Sequence, residues 1–220
     1  MPFTRGLLIA TGVSFLLHTV MQVWVAFPLG SFTALTTGGL TPWTPLQLVT
    51  HPLAWIIVPR SALTLLFALL MLWWSLSPFE ERYGGKATVQ LVVASTLLSG
   101  VLAALVGLIT PPDVVLGPNT WMFAGWGALG WSLRHTPMSI LGLQTRGEAY
   151  VWFALVLVGL NFLTDPRVPT LVAELAAIGA GVGFVAWRRR RLPPARISSV
   201  VSLSAARKAR DGKKKPEWLN

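Results

Sequence analysis

A chain of 220 residues that is 53% hydrophobic and only 12% charged, with a mean hydropathy of +0.61, carries too little polar surface for an ordinary soluble globule. Its formal charge of +10 invites a nucleic-acid reading, but 11 of the 18 Lys and Arg residues follow residue 187 and no aromatic platform accompanies them, so nucleic acid is not an expected partner. The absence of cysteine removes disulfides, thiolate metal sites and thiol nucleophiles, while eleven tryptophans suit the interface between lipid and water.

The first apolar segment, residues 7–27, is long enough to cross a hydrocarbon core of ~30 Å at ~1.5 Å per residue. Arg5 precedes it as in a signal peptide, yet its length and the lack of a small-x-small pair after Val25 predict a retained span. His18 has no second histidine or carboxylate at ligand spacing and reads as a histidine hydrogen-bonded within the bundle. Residues 28–54 hold too many prolines and glycines for a continuous helix and predict a long outer loop. Its later part, residues 43–53, reads as an interfacial segment, with His51 as a surface residue.

A second span is predicted over residues 55–76, with Arg60 near its outer end, where a long side chain can reach the headgroups. Glu80 and Arg82 follow in a turn, either as a surface charge pair or as contacts that position a helix. The third span, residues 87–109, has a narrow small-residue side at Ser95, Ser99, Gly100 and Ala104. The fourth, residues 115–131, is short because one end sits inside the bundle. Residues 134–147 are expected to form an inner loop, and residues 148–163 the fifth span, where Asn161 reads as a capping amide before the turn at 164–167. The sixth span covers residues 170–187 and ends in four arginines.

With the N-terminus inside, sixteen Lys and Arg fall on the inner side and only Arg60 and Arg167 outside. That bias predicts six spans with both termini cytoplasmic. The chain then divides into a membrane domain, residues 1–191, and a basic cytoplasmic tail, residues 192–220, expected to be disordered. Such a tail is drawn to anionic lipid by about 1 kcal/mol per charge, so lipid is an expected partner.

Two runs rich in small residues stand out, 117–130 and 173–181. In a bilayer, small residues let helix backbones approach closely, so the two runs are expected to touch. Gly117, Phe123, Ala124 and Gly127 lie on one, and Ala177 and Gly181 on the other, one and two turns below Glu174 on the same face. Asn119 is four residues past Val115 and Glu174 five past Pro169, so each lies ~6–8 Å below the outer face. Their amide and carboxyl are expected to be neighbours. An ionisable residue inside a span is a functional candidate, and the plainer alternative is a polar clasp that locks the fourth and sixth spans together.

The first run resembles the fourth span of rhomboid intramembrane proteases, Gly-x-Ser-Gly-x-x-Phe-Gly-x-x-Gly, retained at Gly117, Phe123, Ala124 and Gly127 but with Asn119 at the serine position. The second resembles that family's sixth span, Ala-His-x-Gly-Gly-x-x-x-Gly, with Glu174 at the position of the general-base histidine. Glu80-x-x-x-Gly84 is similar to the family's motif after its second span, and the alignment puts the oxyanion pair His-x-x-x-Asn on Thr64 and Ala68. The resemblance covers roughly residues 40–187. It implies an all-α membrane protein, a six-transmembrane-helix rhomboid-like bundle with both termini inside, whose first loop inserts sideways into the outer leaflet.

Peptide hydrolysis by a serine dyad needs a hydroxyl, a base within reach and donors aimed at the oxyanion. Asn119, Glu174, Thr64 and Ala68 do not supply that set. The resemblance therefore implies a catalytically inactive member, similar in kind to derlins, that binds transmembrane segments of client proteins and influences their stability or trafficking. The expected location is a bilayer, a bacterial inner membrane in particular, and neither cofactor nor metal is implied. Two other readings stay open. One is an active intramembrane peptidase with an atypical site, in which Glu174 activates water with Asp113 as the other acid on that side. The other is a small proton-coupled transporter using Glu174, although no inverted repeat accompanies it.

Overall fold

The fold comes from a computed structural model that describes residues 1–140 and 143–191. Four helical stretches of 23 residues each are long and apolar enough to cross a membrane: Pro2–Trp24, Ser61–Tyr83, Gly85–Gly107 and Val168–Arg190. Each spans about 35 Å, slightly more than a hydrocarbon core. The chain divides into two units, residues 1–186 and 187–220. The basic segment 192–220, and the lipid contact read from it, lie outside the described residues.

Helix α1, Pro2–Thr19, begins five residues before the predicted span and continues through a π-helical turn, Val20–Trp24. Proline suits the first turn, where its missing N–H costs nothing. The exposed amides are capped from afar: Glu80 Oε1 accepts Phe3 N at 3.0 Å, and Oε2 accepts Thr4 N at 2.8 Å and Thr4 Oγ1 at 2.6 Å. Glu80 is buried, so of its two readings the helix-positioning contact is the one that stands. Four residues on, Gly84 takes φ 81, a left-handed value that glycine adopts without strain, and joins α4, Ser61–Tyr83, to α5, Gly85–Gly107, with no further linker.

The loop predicted over 28–54 contains short structure. Helix α2, Leu29–Thr33, leads into β1, Leu35–Thr36, and helix α3, Thr44–Thr50, leads into a 3-10 turn, His51–Leu53. Strand β1 pairs antiparallel with β2, Val114–Val115, and so ties this loop to the connection after α5. His18 is buried between Ser14 O at 2.8 Å and Thr33 Oγ1 at 2.9 Å.

His51 is fully buried and not the surface residue expected. Its Nδ1 lies 3.2 Å from Leu48 O, its backbone oxygen accepts Gly117 N at 3.0 Å, and its ring sits where a side chain at Gly100 would reach it at 3.2 Å. Burial pushes the imidazole down from 6.5 to about 4, against the opposing pull of the Leu48 and Gln47 backbone.

Two helix starts and one loop differ from the sequence reading for local reasons. Helix α4 starts at Ser61, after Pro59 and an Arg60 at φ 80, instead of at Trp55. Helix α6, Asn119–Leu133, starts four residues late, because Val114 and Val115 are used in β2 and Gly117 turns the chain at φ 85. The segment expected as an inner loop holds a strand pair, in which β3, Pro137–Ile140, pairs with β4, Leu143–Arg146. Helices α7, Ala149–Thr164, and α8, Val168–Arg191, complete the order.

Helix α6 is the axis of the bundle, and every residue from Thr120 to Gly130 is buried. It packs against α4, α5 and α7. Its crossing with α8 is backbone against backbone: a Cβ on Gly127 would come 2.5 Å from Ile178 O, and one on Gly181 would strike Ala124 O. Helices without side chains at the crossing can meet this closely, and Ala124 and Ala177 keep the rest of the seam small. The same argument applies where Gly125 faces Ser75 of α4, at 2.9 Å from a built Cβ.

Candidate functional site

The polar centre of the bundle is assembled from three helices. Asn119 is the first residue of α6, Asn161 lies in the last turn of α7, and Glu174 sits six residues into α8, about 9 Å from its start. Glu174 is only 4% exposed. Asn119 Nδ2 donates to Glu174 Oε1 at 3.1 Å, and Asn161 Nδ2 donates to the same oxygen at 3.2 Å, with a longer 3.5 Å approach to Oε2. One carboxyl oxygen therefore takes both amides, while Oε2 keeps most of its acceptor capacity.

Asn119 and Glu174 thus come together as neighbours, although Asn119 opens its helix instead of lying a turn inside it. Asn161 was read as a capping amide and is instead the second partner of Glu174. Its signal was available: it is the one amide in an otherwise apolar run from Ala149 to Leu163.

All three line an open cleft of about 790 Å³. Ile56, Val58 and Thr64 form one wall, and Asn161, Phe162 and Thr164 the other. Thr64 turns its hydroxyl back to Arg60 O at 3.4 Å, and Ala68, one turn further on, packs with Phe15 and Trp55 instead of lining the cleft. Gly117, Phe123, Ala124, Gly127, Ala177 and Gly181 set the turn and the α6–α8 seam beneath.

Asp165, Arg167 and Thr170 also line the cleft. Arg167 Nη2 lies 2.6 Å from Asp165 Oδ2, and its Nη1 lies 3.4 Å from Asp113 Oδ1. Asp113 further accepts Thr170 Oγ1 at 2.8 Å and Val114 N at 2.6 Å. The guanidinium is thereby held by two aspartates. Asp113 is committed to Arg167, Thr170 and its own loop instead of to Glu174, and Asp165 is a second acid of the cleft that the sequence reading left in a turn.

Deeper along the same helices, near the middle of α4 and α6 and the start of α7, rings pack together. Trp74 of α4 meets Tyr150 and Phe153 of α7 at 6.2 Å between ring centroids, and Trp126 of α6 meets Phe153 at 5.1 Å. Aromatic edges and faces interlock there.

Chemically, the cleft offers a buried carboxyl with two neutral donors and an underused oxygen. Among the described residues, no three His, Cys, Asp or Glu side chains gather as metal ligands would. The long apolar helices make the chain a predominantly helical, multi-pass membrane protein. No protein-family model matches it, and no curated protein sequence does.

Proposed function

We propose that this is a non-catalytic rhomboid-like protein that holds transmembrane segments of other proteins and so influences their stability or trafficking. In this reading α1, α4, α5, α6, α7 and α8 are six spans, with both termini cytoplasmic, and the Gly117 end of α6 stops short of the outer surface. The observation that carries the reading is the shape of the gap between α4 and α7. It is sealed by Trp74, Tyr150 and Phe153 and opens about 14 Å away into the cleft walled by Thr64 and Phe162. A helix can reach such a cleft sideways from the bilayer.

The residues at the dyad positions support holding instead of cutting. An amide at 119 is no nucleophile, and the carboxyl at 174 is already engaged by two amides. The reading is tested with the purified chain in liposomes, a single-span model substrate and a photoreactive analogue at position 162. Cross-linking without cleavage is expected. Proteolysis that disappears in Glu174→Gln would replace this reading with an atypical peptidase.

A second reading has its own observation, a buried carboxyl lining an open polar cleft. It makes the chain a proton-coupled transporter. Proton-coupled flux in liposomes, lost in Glu174→Gln, would favour it.

A further inference from the structure

We infer that the cleft selects clients by a basic side chain, Lys or Arg, placed about two helical turns inside the outer end of the client's own span. The inference rests on the client-holding reading and deepens it.

Among the described residues three charged side chains line the cleft, Asp165, Arg167 and Glu174, and they are not equivalent. Arg167 bridges Asp165 at 2.6 Å and Asp113 at 3.4 Å, so the one cation of the lining among the described residues is engaged by acids at its rim. Among the described residues no cation lies within ion-pair distance of Glu174, and its hydrogen-bond partners are the neutral amides of Asn119 and Asn161. Both amides converge on Oε1 and leave Oε2 with one 3.5 Å contact. A carboxyl arranged in this way is oriented by its neighbours, and Arg167 acts on it only from beyond ion-pair distance.

A transmembrane helix supplies a closer positive charge most readily through Lys or Arg. Such a residue is costly in hydrocarbon, by ~2.5–3.5 kcal/mol at the centre of a span, and gains by pairing with a protein carboxyl. The depth also fits. Glu174 lies about 9 Å below the start of α8, which a client Lys or Arg can match from a neighbouring turn with its flexible stem. The walls Ile56, Val58 and Phe162 are apolar and suit the aliphatic stem and the client's flanking residues, while Oε2 takes the head group. An acidic client residue would meet Glu174 and Asp165 instead, which disfavours it.

The experiment compares three single-span peptides in phosphatidylcholine vesicles holding the full chain, with a photoreactive phenylalanine analogue at position 162. They carry Lys, Leu or Glu at the matched depth and are otherwise identical. The Lys peptide is expected to be captured about tenfold more than the Leu peptide, the lower end for a hydrogen bond to a charged group, and the Glu peptide less than either. In Glu174→Gln, the preference for Lys should collapse to near parity. Because the peptide series is read in the unaltered protein, the result does not depend on how well that variant folds.

Equal capture of the Lys and Leu peptides overturns the inference and leaves client holding in place. A Lys preference that survives in Glu174→Gln also overturns it, by locating recognition elsewhere. Capture of no peptide overturns the client-holding reading and this inference with it.

Discussion

Helices α4, α6 and α7 are built differently at their two ends, although the same three elements meet at both. At and beyond Trp74 and Trp126, Ser77 Oγ and the Trp126 ring nitrogen are buried without a hydrogen-bond partner, but other polar groups are answered within the protein. Glu80 caps α1, and Tyr83 OH and Ser132 Oγ lie 2.7 Å apart. At the end carrying Asn119 and Asn161, the packing stops and a carboxyl is held at the edge of a cleft. A bilayer exerts no hydrophobic force between helices, so close contact must come from small residues and interlocking rings. Where both are absent, a site remains. The difference predicts that damage to the closed end costs the fold, whereas changes at the open end alter binding first.

The largest effect is expected at the α6–α8 seam. In Gly181→Leu the new side chain meets Ala124 O and Ala128 N, both backbone atoms that cannot rotate away. A loss above roughly 4 kcal/mol is expected, enough to prevent recovery of folded protein from detergent. Gly183 is the control on the same helix, since nothing lies within 4 Å of its built Cβ, and Gly183→Ala should melt like the parent or slightly higher. Equal behaviour of the two variants would show that the crossing is not close.

Glu80→Ala comes next. It strands two α1 amides and the Thr4 hydroxyl at a buried position, for about 3 kcal/mol. Thermal unfolding in detergent and protease access to residues 2–10 both read the effect. If α1 stays protected in this variant, the cap is dispensable and the closed end is held by its rings alone.

These two sites also show how unevenly the fold was legible. The small residues of 117–130 and 173–181 report directly on a backbone crossing, because few other pressures place Gly and Ala in that pattern within an apolar run. The pairing of Asn119 with Glu174 followed from depth along two helices. The start of α6 did not, because it depends on β1 and β2 pairing across nearly eighty residues, and no local pattern announces a two-residue strand. Asn161 went unrecognised for a related reason. Its role comes from the face α7 turns inward, and α7 is apolar on every side. His51 looked like a loop residue because burial there is created by Gly100 on another helix.

His51 gives a pH test at the open end. Its folded value is about 4 against 6.5 unperturbed, so the folded state disfavours the protonated ring. The corresponding stability is fully present above pH 6.5 and is lost as pH falls toward 4, by about 2 kcal/mol at pH 5. The wild-type melting temperature should therefore drop between pH 7 and pH 5, and His51→Leu should flatten that slope. An unchanged slope in the variant would assign the acid sensitivity to another group. Because His51 contacts the Gly117 turn, acid should loosen the start of α6 before it disturbs the ring cluster around Trp126. Tryptophan fluorescence from that cluster would then respond at lower pH than the melting temperature does.

The smallest effects belong to the two amides, and their combination is more informative than either alone. Asn119→Ala and Asn161→Ala each remove one donor from Glu174 Oε1 and should cost about 1 kcal/mol, since the other amide still satisfies that oxygen. The double variant leaves a 4%-exposed carboxyl without either donor. Its cost should exceed the sum of the singles by about 1 kcal/mol, as expected for residues that share one partner. Simple additivity would mean that the amides do not share Oε1, and Glu174 would then be held by something other than this clasp. Either way the closed end should remain intact, because the seam at Gly127 and Gly181 lies about two turns below and requires nothing from the polar layer. Stability in that cycle and peptide capture at position 162 should therefore separate, with capture responding to each amide and the ring cluster to neither.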